Sequence, residues 1–168
     1  MNINMIFGFL NEYGMLIMFL VVLLEYMNLP GFPAGIILPV GGIWAYNDSQ
    51  NVIFVLTISI VAGVIGSLML YYIGKFGGEK LLNRYLKKFP SQTKVIDKYT
   101  IKLNKYGNQT IFISKLIPCV RTIIGIPAGV INMKLKDYLI YSTLGITVWN
   151  GAFILTGYFF SETVLKYL

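Results

Sequence analysis

Hydrophobic residues gather into four blocks, at residues 5–46, 52–73, 111–133 and 138–160, separated by short polar turns and one long basic stretch. Blocks two and four contain neither charge nor proline. Each runs about 22 residues, enough to cross a hydrocarbon core of about 30 Å at about 1.5 Å per residue. These two are predicted to be transmembrane helices.

The other two blocks are interrupted. The first holds Glu12 and Glu25 together with Pro30, Pro33 and Pro39, and the third holds Lys115 and Arg121 together with Pro118 and Pro127. A proline inside a helix removes a hydrogen bond and disfavours α geometry in the residue before it. Backbone groups freed in this way cannot face lipid. The expected solution is a re-entrant hairpin, whose two half-helices enter and leave on the same side while the bend rests against protein or water. The bends are expected near residues 29–35 and 116–122, with Pro30, Pro33, Gly35, Pro118, Pro127 and Gly129 as the breaking positions.

Composition agrees with a membrane protein. Of the 168 residues, 56% are hydrophobic and 12% charged, too apolar for a water-soluble domain of this size to cover its own surface. Cys119 is the one cysteine and histidine is absent, so an internal disulfide, a zinc site and a histidine-based catalytic site are excluded. No cofactor or metal is expected, and Cys119 reads as a passive small residue. Residues 1–11 lack Lys and Arg, so the charged start of a cleavable signal peptide is missing and the first apolar block is read as mature structure.

The net charge of +7 is concentrated in residues 75–105, which carry nine basic and two acidic side chains. Between apolar blocks, the positive-inside rule places this stretch on the cytoplasmic face, against anionic headgroups, rather than on nucleic acid. It reads as two amphipathic helices. Leu81, Leu82, Tyr85, Leu86 and Phe89 make one stripe that Pro90 ends, and Val95, Ile96, Tyr99, Leu103 and Tyr106 make the next, with lysines opposite. Such helices are expected in the membrane interface; the other reading is that they cover the bundle.

With that face cytoplasmic, block two runs inward, the first hairpin enters from outside and the second from inside. Opposed hairpins describe an inverted repeat with a shared site near the midplane. The repeats would be residues 5–75 and 108–168, joined by the linker 76–107, in one all-α membrane domain. A short echo supports the duplication: Gly31-Phe32-Pro33-Ala34-Gly35-Ile36 recurs as Gly125-Ile126-Pro127-Ala128-Gly129-Val130.

A cation at bilayer depth costs roughly 2.5 to 3.5 kcal/mol on insertion scales, so Lys115 and Arg121 need a purpose. On an unbroken helix six residues turn a side chain through about 600°, leaving the two apart. A break at Pro118 lets them converge, and N–H groups opening the second half-helix add positive potential. This suits a phosphate or carboxylate, gripped bidentately by Arg121 with Lys115 as a point charge. Glu25 is the natural counter-charge and a candidate proton carrier. Two plainer readings are open: Lys115 snorkels to the interface, and Glu25 with Arg121 forms a structural pair. Gly63, Gly66, Gly74, Gly77 and Gly78 read as close helix packing, Trp44 and Tyr46 as interfacial anchors, and Trp149 as packing or cavity lining.

Several of these residues together resemble the DedA family of the SNARE-associated or VTT-domain superfamily. In the first half the resemblance rests on Glu25, Leu29-Pro30-Gly31-Phe32-Pro33-Ala34-Gly35, Gly63-Val64-Ile65-Gly66-Ser67 and Tyr72-Ile73-Gly74-Lys75-Phe76-Gly77. In the second it rests on Phe112-Ile113-Ser114-Lys115-Leu116-Ile117-Pro118-Cys119-Val120-Arg121-Thr122, Pro127-Ala128-Gly129, Met133, Gly145, Trp149 and Gly157-Tyr158. It implies a bacterial plasma-membrane protein with two facing re-entrant hairpins that translocates lipid, with undecaprenyl phosphate as the best-known substrate and proton coupling frequent. The chain departs from the pattern at Gly35 and Ser67, where the family often has carboxylates, and at Lys115, where it has Arg. It also stops soon after Tyr158, where relatives continue into another helix.

The expected function is therefore the flipping of a lipid phosphate, without bond breaking. A less selective phospholipid scramblase, a proton-coupled transporter and a structural or assembly protein are the alternatives. Expected partners are anionic phospholipid or polyisoprenyl phosphate, with protons and a homo-oligomer left open.

Overall fold

The computed structural model describes residues 3–28, 34–47, 51–90, 93–118 and 120–166. Pro30, Pro33, Asp48 and Cys119 lie outside the described residues, and so does most of the first expected bend. The described chain is helical: α1 (Ile3–Tyr26), α2 (Ala34–Asn47), α3 (Val52–Lys88), α4 (Thr93–Tyr106), α5 (Asn108–Lys115), α6 (Val120–Ile123), α7 (Gly125–Val130) and α8 (Leu135–Lys166).

Two helices are long and apolar enough to cross a membrane, Val52–Lys80 within α3 and Leu135–Ser161 within α8. They match blocks two and four. α3 bends at Gly78, whose φ of 55° and ψ of −159° favour a residue without a Cβ. The basic segment that follows leaves the spanning direction at this point.

The prolines act differently from one another. Pro118 lies in the interruption between α5 and α6, where Val120 N donates to the Pro118 carbonyl. Pro39 sits inside α2, and the bond it forfeits is the one to Gly35, in the first turn. Pro127 is the third residue of α7 and Gly129 the fifth, while Gly35 is the second of α2. These three, expected at breaks, lie within helices; for Pro127 the reason is that a proline in the first turn of α7 costs little.

The helices pack in a reciprocal pattern. α1 lies on α3 as α5 lies on α8, α2 lies on α8 as α7 lies on α3, and α3 meets α8 directly. Two glycine contacts show the correspondence atom by atom. A Cβ on Gly129 would strike the Tyr71 carbonyl and the Lys75 N–H, and one on Gly74 the Ile126 carbonyl. Likewise a Cβ on Gly42 would strike the Ile154 carbonyl and the Tyr158 N–H, and one on Gly157 the Pro39 carbonyl. Gly42 is thus the counterpart of Gly129. The short sequence echo instead pairs Gly129 with Gly35, where an added Cβ meets nothing within 4 Å.

Two hydrophobic clusters result. One joins Met18, Val22, Tyr26, Leu38, Val55, Ala62, Ile146 and Ile154. The other joins Tyr71, Tyr99, Leu103, Ile111, Val120, Ile124, Ala128 and Tyr138. α4 contributes to the second, with Ile96, Tyr99 and Leu103 buried. These three residues of its apolar stripe therefore pack on α5 and α7, the bundle-covering reading of this helix, while Tyr106 is exposed.

Candidate functional site

Lys115 ends α5 and Arg121 opens the next half-helix, so the interruption 116–119 carries one cation on each rim. Leu116 N and Ile117 N donate to the carbonyls of Ile113 and Ser114, tightening the end of α5 before the chain turns. Both charged side chains then point inward. Lys115 is fully buried and Arg121 is 4% exposed.

Their contacts are specific. The Lys115 ammonium donates to Ser67 Oγ and to the Arg121 carbonyl, each at 2.8 Å. It also stands 5.7 Å from the Tyr26 ring and 5.8 Å from the Tyr138 ring, one ring from each hydrophobic cluster. The Lys115 stem passes where a Cβ on Gly145 would stand, so α8 must be bare at that point. Lysine at this depth is held in place and does not snorkel.

Arg121 forms a salt bridge with Glu25 through Nη2 and donates from Nη1 to the Tyr26 hydroxyl at 2.9 Å. Its guanidinium lies 4.8 Å from the Tyr26 ring and 4.9 Å from that of Trp149. Tyr26 passes the chain on to Asn150 Oδ1 at 2.9 Å, and Asn150 Nδ2 reaches the Ser59 carbonyl at 3.2 Å. Beside the break, Thr122 Oγ1 donates to Asn28 Oδ1 at 3.0 Å, linking the two interrupted segments. Asn28 has a φ of 59°, a left-handed turn that asparagine tolerates.

Glu25, Lys115 and Arg121 thus come together, as expected, at the junction of the two halves. Pro118 frames them. Tyr26, Ser67 and Tyr138 are partners of the cations and Asn150 holds the Tyr26 hydroxyl, roles that sequence reasoning missed. Asn150 had a signal, as the lone amide inside an otherwise apolar spanning helix, whereas the tyrosines looked like any other aromatic residues. Two buried polar atoms here have no hydrogen-bond partner, Glu25 Oε2 and Trp149 Nε1. No group of metal-ligating side chains occurs among the described residues.

Two cations against one carboxylate leave a surplus of one positive charge. Among the described residues the hydrogen-bond acceptors of Lys115 are neutral, so by formal charge the centre has room for one more anion. Such a centre can hold a phosphate or carboxylate oxygen. With Lys115 charged, its ammonium donates to Ser67 Oγ and is not a base for that hydroxyl.

Fold and site together define a helical membrane protein with a buried cationic centre between interrupted helices. The chain belongs to the VTT-domain family, whose domain matches residues 29–159. It is 33% identical over 159 residues to Undecaprenyl phosphate transporter A of Staphylococcus aureus, covering 92% of this chain and 78% of that one. It is 30% identical over 156 residues to Protein DedA of Escherichia coli, covering 89% and 71%. An alkaline phosphatase-like protein of Lactococcus lactis is also 30% identical over 156 residues, covering 88% and 71%. No solved structure matches the chain.

Proposed function

We propose that this protein moves a lipid phosphate across the bacterial plasma membrane, with undecaprenyl phosphate the best candidate substrate. The surplus buried cation is the observation that carries this reading. A phosphate headgroup entering between the two halves would compete with Glu25 for Arg121 and would give Lys115 its missing counter-charge. Its tail would stay in lipid. No bond is made or broken, so the protein is a transporter and not an enzyme. The relatives named Undecaprenyl phosphate transporter A fit this chemistry, since that lipid carries a phosphate at the end of a long apolar chain.

The reciprocal packing of α1, α2 and α3 with α5, α7 and α8 supports an inverted repeat of two re-entrant hairpins, residues 5–75 and 108–168. Positive charge in the linker 76–107 favours its cytoplasmic placement. The unpartnered Glu25 Oε2 leaves this carboxylate able to take a proton as Arg121 turns to substrate.

A second reading is favoured by the salt bridge itself: Glu25 and Arg121 could serve assembly alone. The charge-swapped variant Glu25→Arg with Arg121→Glu separates the two. A substrate site predicts loss of lipid-phosphate transfer in reconstituted vesicles despite a restored ion pair, and recovered transfer would make the pair structural.

A further inference from the structure

The outer face of α5 carries a second, unassigned site. Where Gly107 turns the chain from α4 into α5, a cavity of about 260 Å³ opens between them, lined by Lys102, Tyr106, Gln109 and Ile113 among others. Adjoining it, and sharing Gln109 and Ile113, a groove of about 440 Å³ runs over the α5–α8 seam along Phe112, Tyr141 and Leu144. The first includes the polar side chains of Lys102, Gln109 and Thr110 in its lining. The second is almost wholly apolar, and Ile113 and Leu144 are both more than half exposed, in segments that face lipid if the chain spans the membrane.

We infer that this pair of cavities is a loading site for a single-chain lipid phosphate. The headgroup would rest at Lys102, Tyr106 and Gln109, and the chain would lie along Phe112, Ile113, Tyr141 and Leu144.

Three features point to this occupant. Charge is complementary: Lys102 stands at the mouth, within the stretch that carries nine basic side chains. Shape favours one chain, because a single apolar groove adjoins the cavity that Lys102 lines, the two sharing Gln109 and Ile113. Position is apt as well, because the seam backs directly onto the charged centre. A Cβ on Gly145 would meet the Phe112 carbonyl at 3.1 Å on the α5 side, next to the Lys115 stem. A lipid held on the outside of the seam thus has its phosphate about two turns of α5 from Lys115, counting from Gln109. Lys102 is held by little: its ammonium lies over the Tyr99 ring at 5.3 Å and is free to swing to an anion.

This inference rests on the lipid-phosphate reading but uses different residues, so the two can fail separately. The test uses the full chain in phosphatidylcholine nanodiscs with a diazirine-bearing farnesyl phosphate, and maps the photo-label by peptide mass spectrometry. Label is expected on Phe112, Ile113, Tyr141 or Leu144. Lys102→Gln should lower it about fivefold, as an exposed charge contact allows. Ile113→Trp, which fills the groove, should lower it further, whereas Arg121→Ala should leave seam labelling intact. The proposal is overturned by label concentrated elsewhere, such as the apolar groove between α1 and α2, or by undiminished labelling in both Lys102→Gln and Ile113→Trp. Displacement by dioleoyl phosphatidic acid as readily as by unlabelled farnesyl phosphate would overturn the single-chain assignment. If the seam stays unlabelled while Arg121→Ala abolishes transfer, only the loading site falls.

Discussion

Lys115 and Ser67 illustrate how single residues set the charge of the centre. Both were marked in the sequence as departures from the family pattern, and they are bonded to each other at 2.8 Å. A hydroxyl beside the ammonium accepts its hydrogen bond without cancelling its charge, so the centre keeps its surplus. Ser67→Asp would supply the missing carboxylate within the site. We expect that variant to fold at least as stably as the parent and to bind farnesyl phosphate at the centre at least about tenfold more weakly, since an added charge at this distance competes directly with the ligand. Calorimetric titration in the Lys102→Gln, Ile113→Trp background, which weakens the outer contribution, reads this. Unchanged affinity would show that the surplus charge is not what the ligand sees. The charged residues themselves were legible in the sequence because a charge in an apolar block is conspicuous. Their aromatic partners were not, because Tyr26 and Tyr138 reach the cations only through tertiary packing.

Among the elements, α2 and α7 are the pieces whose placement decides the architecture. Each is too short to span, and each lies on the long helix of the other half, α2 on α8 and α7 on α3. Backbone meets backbone at Gly42 with Gly157 and at Gly129 with Gly74. These contacts leave no room for a side chain. Gly74→Leu and Gly157→Leu are each expected to lower thermal stability in detergent by several degrees, about 1 to 3 kcal/mol or more for overpacking. Gly35→Leu should cost little, as nothing stands within 4 Å of its Cβ position. Equal losses at Gly35 and Gly74 would contradict the packing described. Sequence spacing could not reveal this correspondence. The echo of Pro-Ala-Gly paired Gly129 with the wrong glycine, because the two half-helices meet their partners at different distances from their prolines. The linker shows the opposite lesson. The apolar stripe of α4 was plain in the sequence, yet its packing on α5 and α7 is a tertiary contact that periodicity alone does not show.

For the whole molecule, the spanning helices and the two interruptions follow from hydrophobic length and proline position, and the family follows from the residues around them. In three dimensions the end of α1 meets α6, placing Glu25 against Arg121 at the seam of two hydrophobic clusters, a pairing that the sequence offered as one reading. A buried pair of this kind is costly to break, about 3 to 5 kcal/mol when one partner is removed, so it opens only if something compensates. In the present account that compensation is the arriving phosphate.

The direct measurement is lipid-phosphate transfer by the full chain in sealed phosphatidylcholine vesicles, read as the inner-leaflet farnesyl phosphate that becomes accessible to an external phosphatase. Arg121→Ala is compared with the doubly neutral Glu25→Gln with Arg121→Gln, which leaves no charge unpaired and guards against a folding defect. The account predicts rapid exposure of the inner pool by the parent and a pool that stays protected in both variants, with helicity and monodispersity retained. Parental transfer rates in the folded double variant would contradict it.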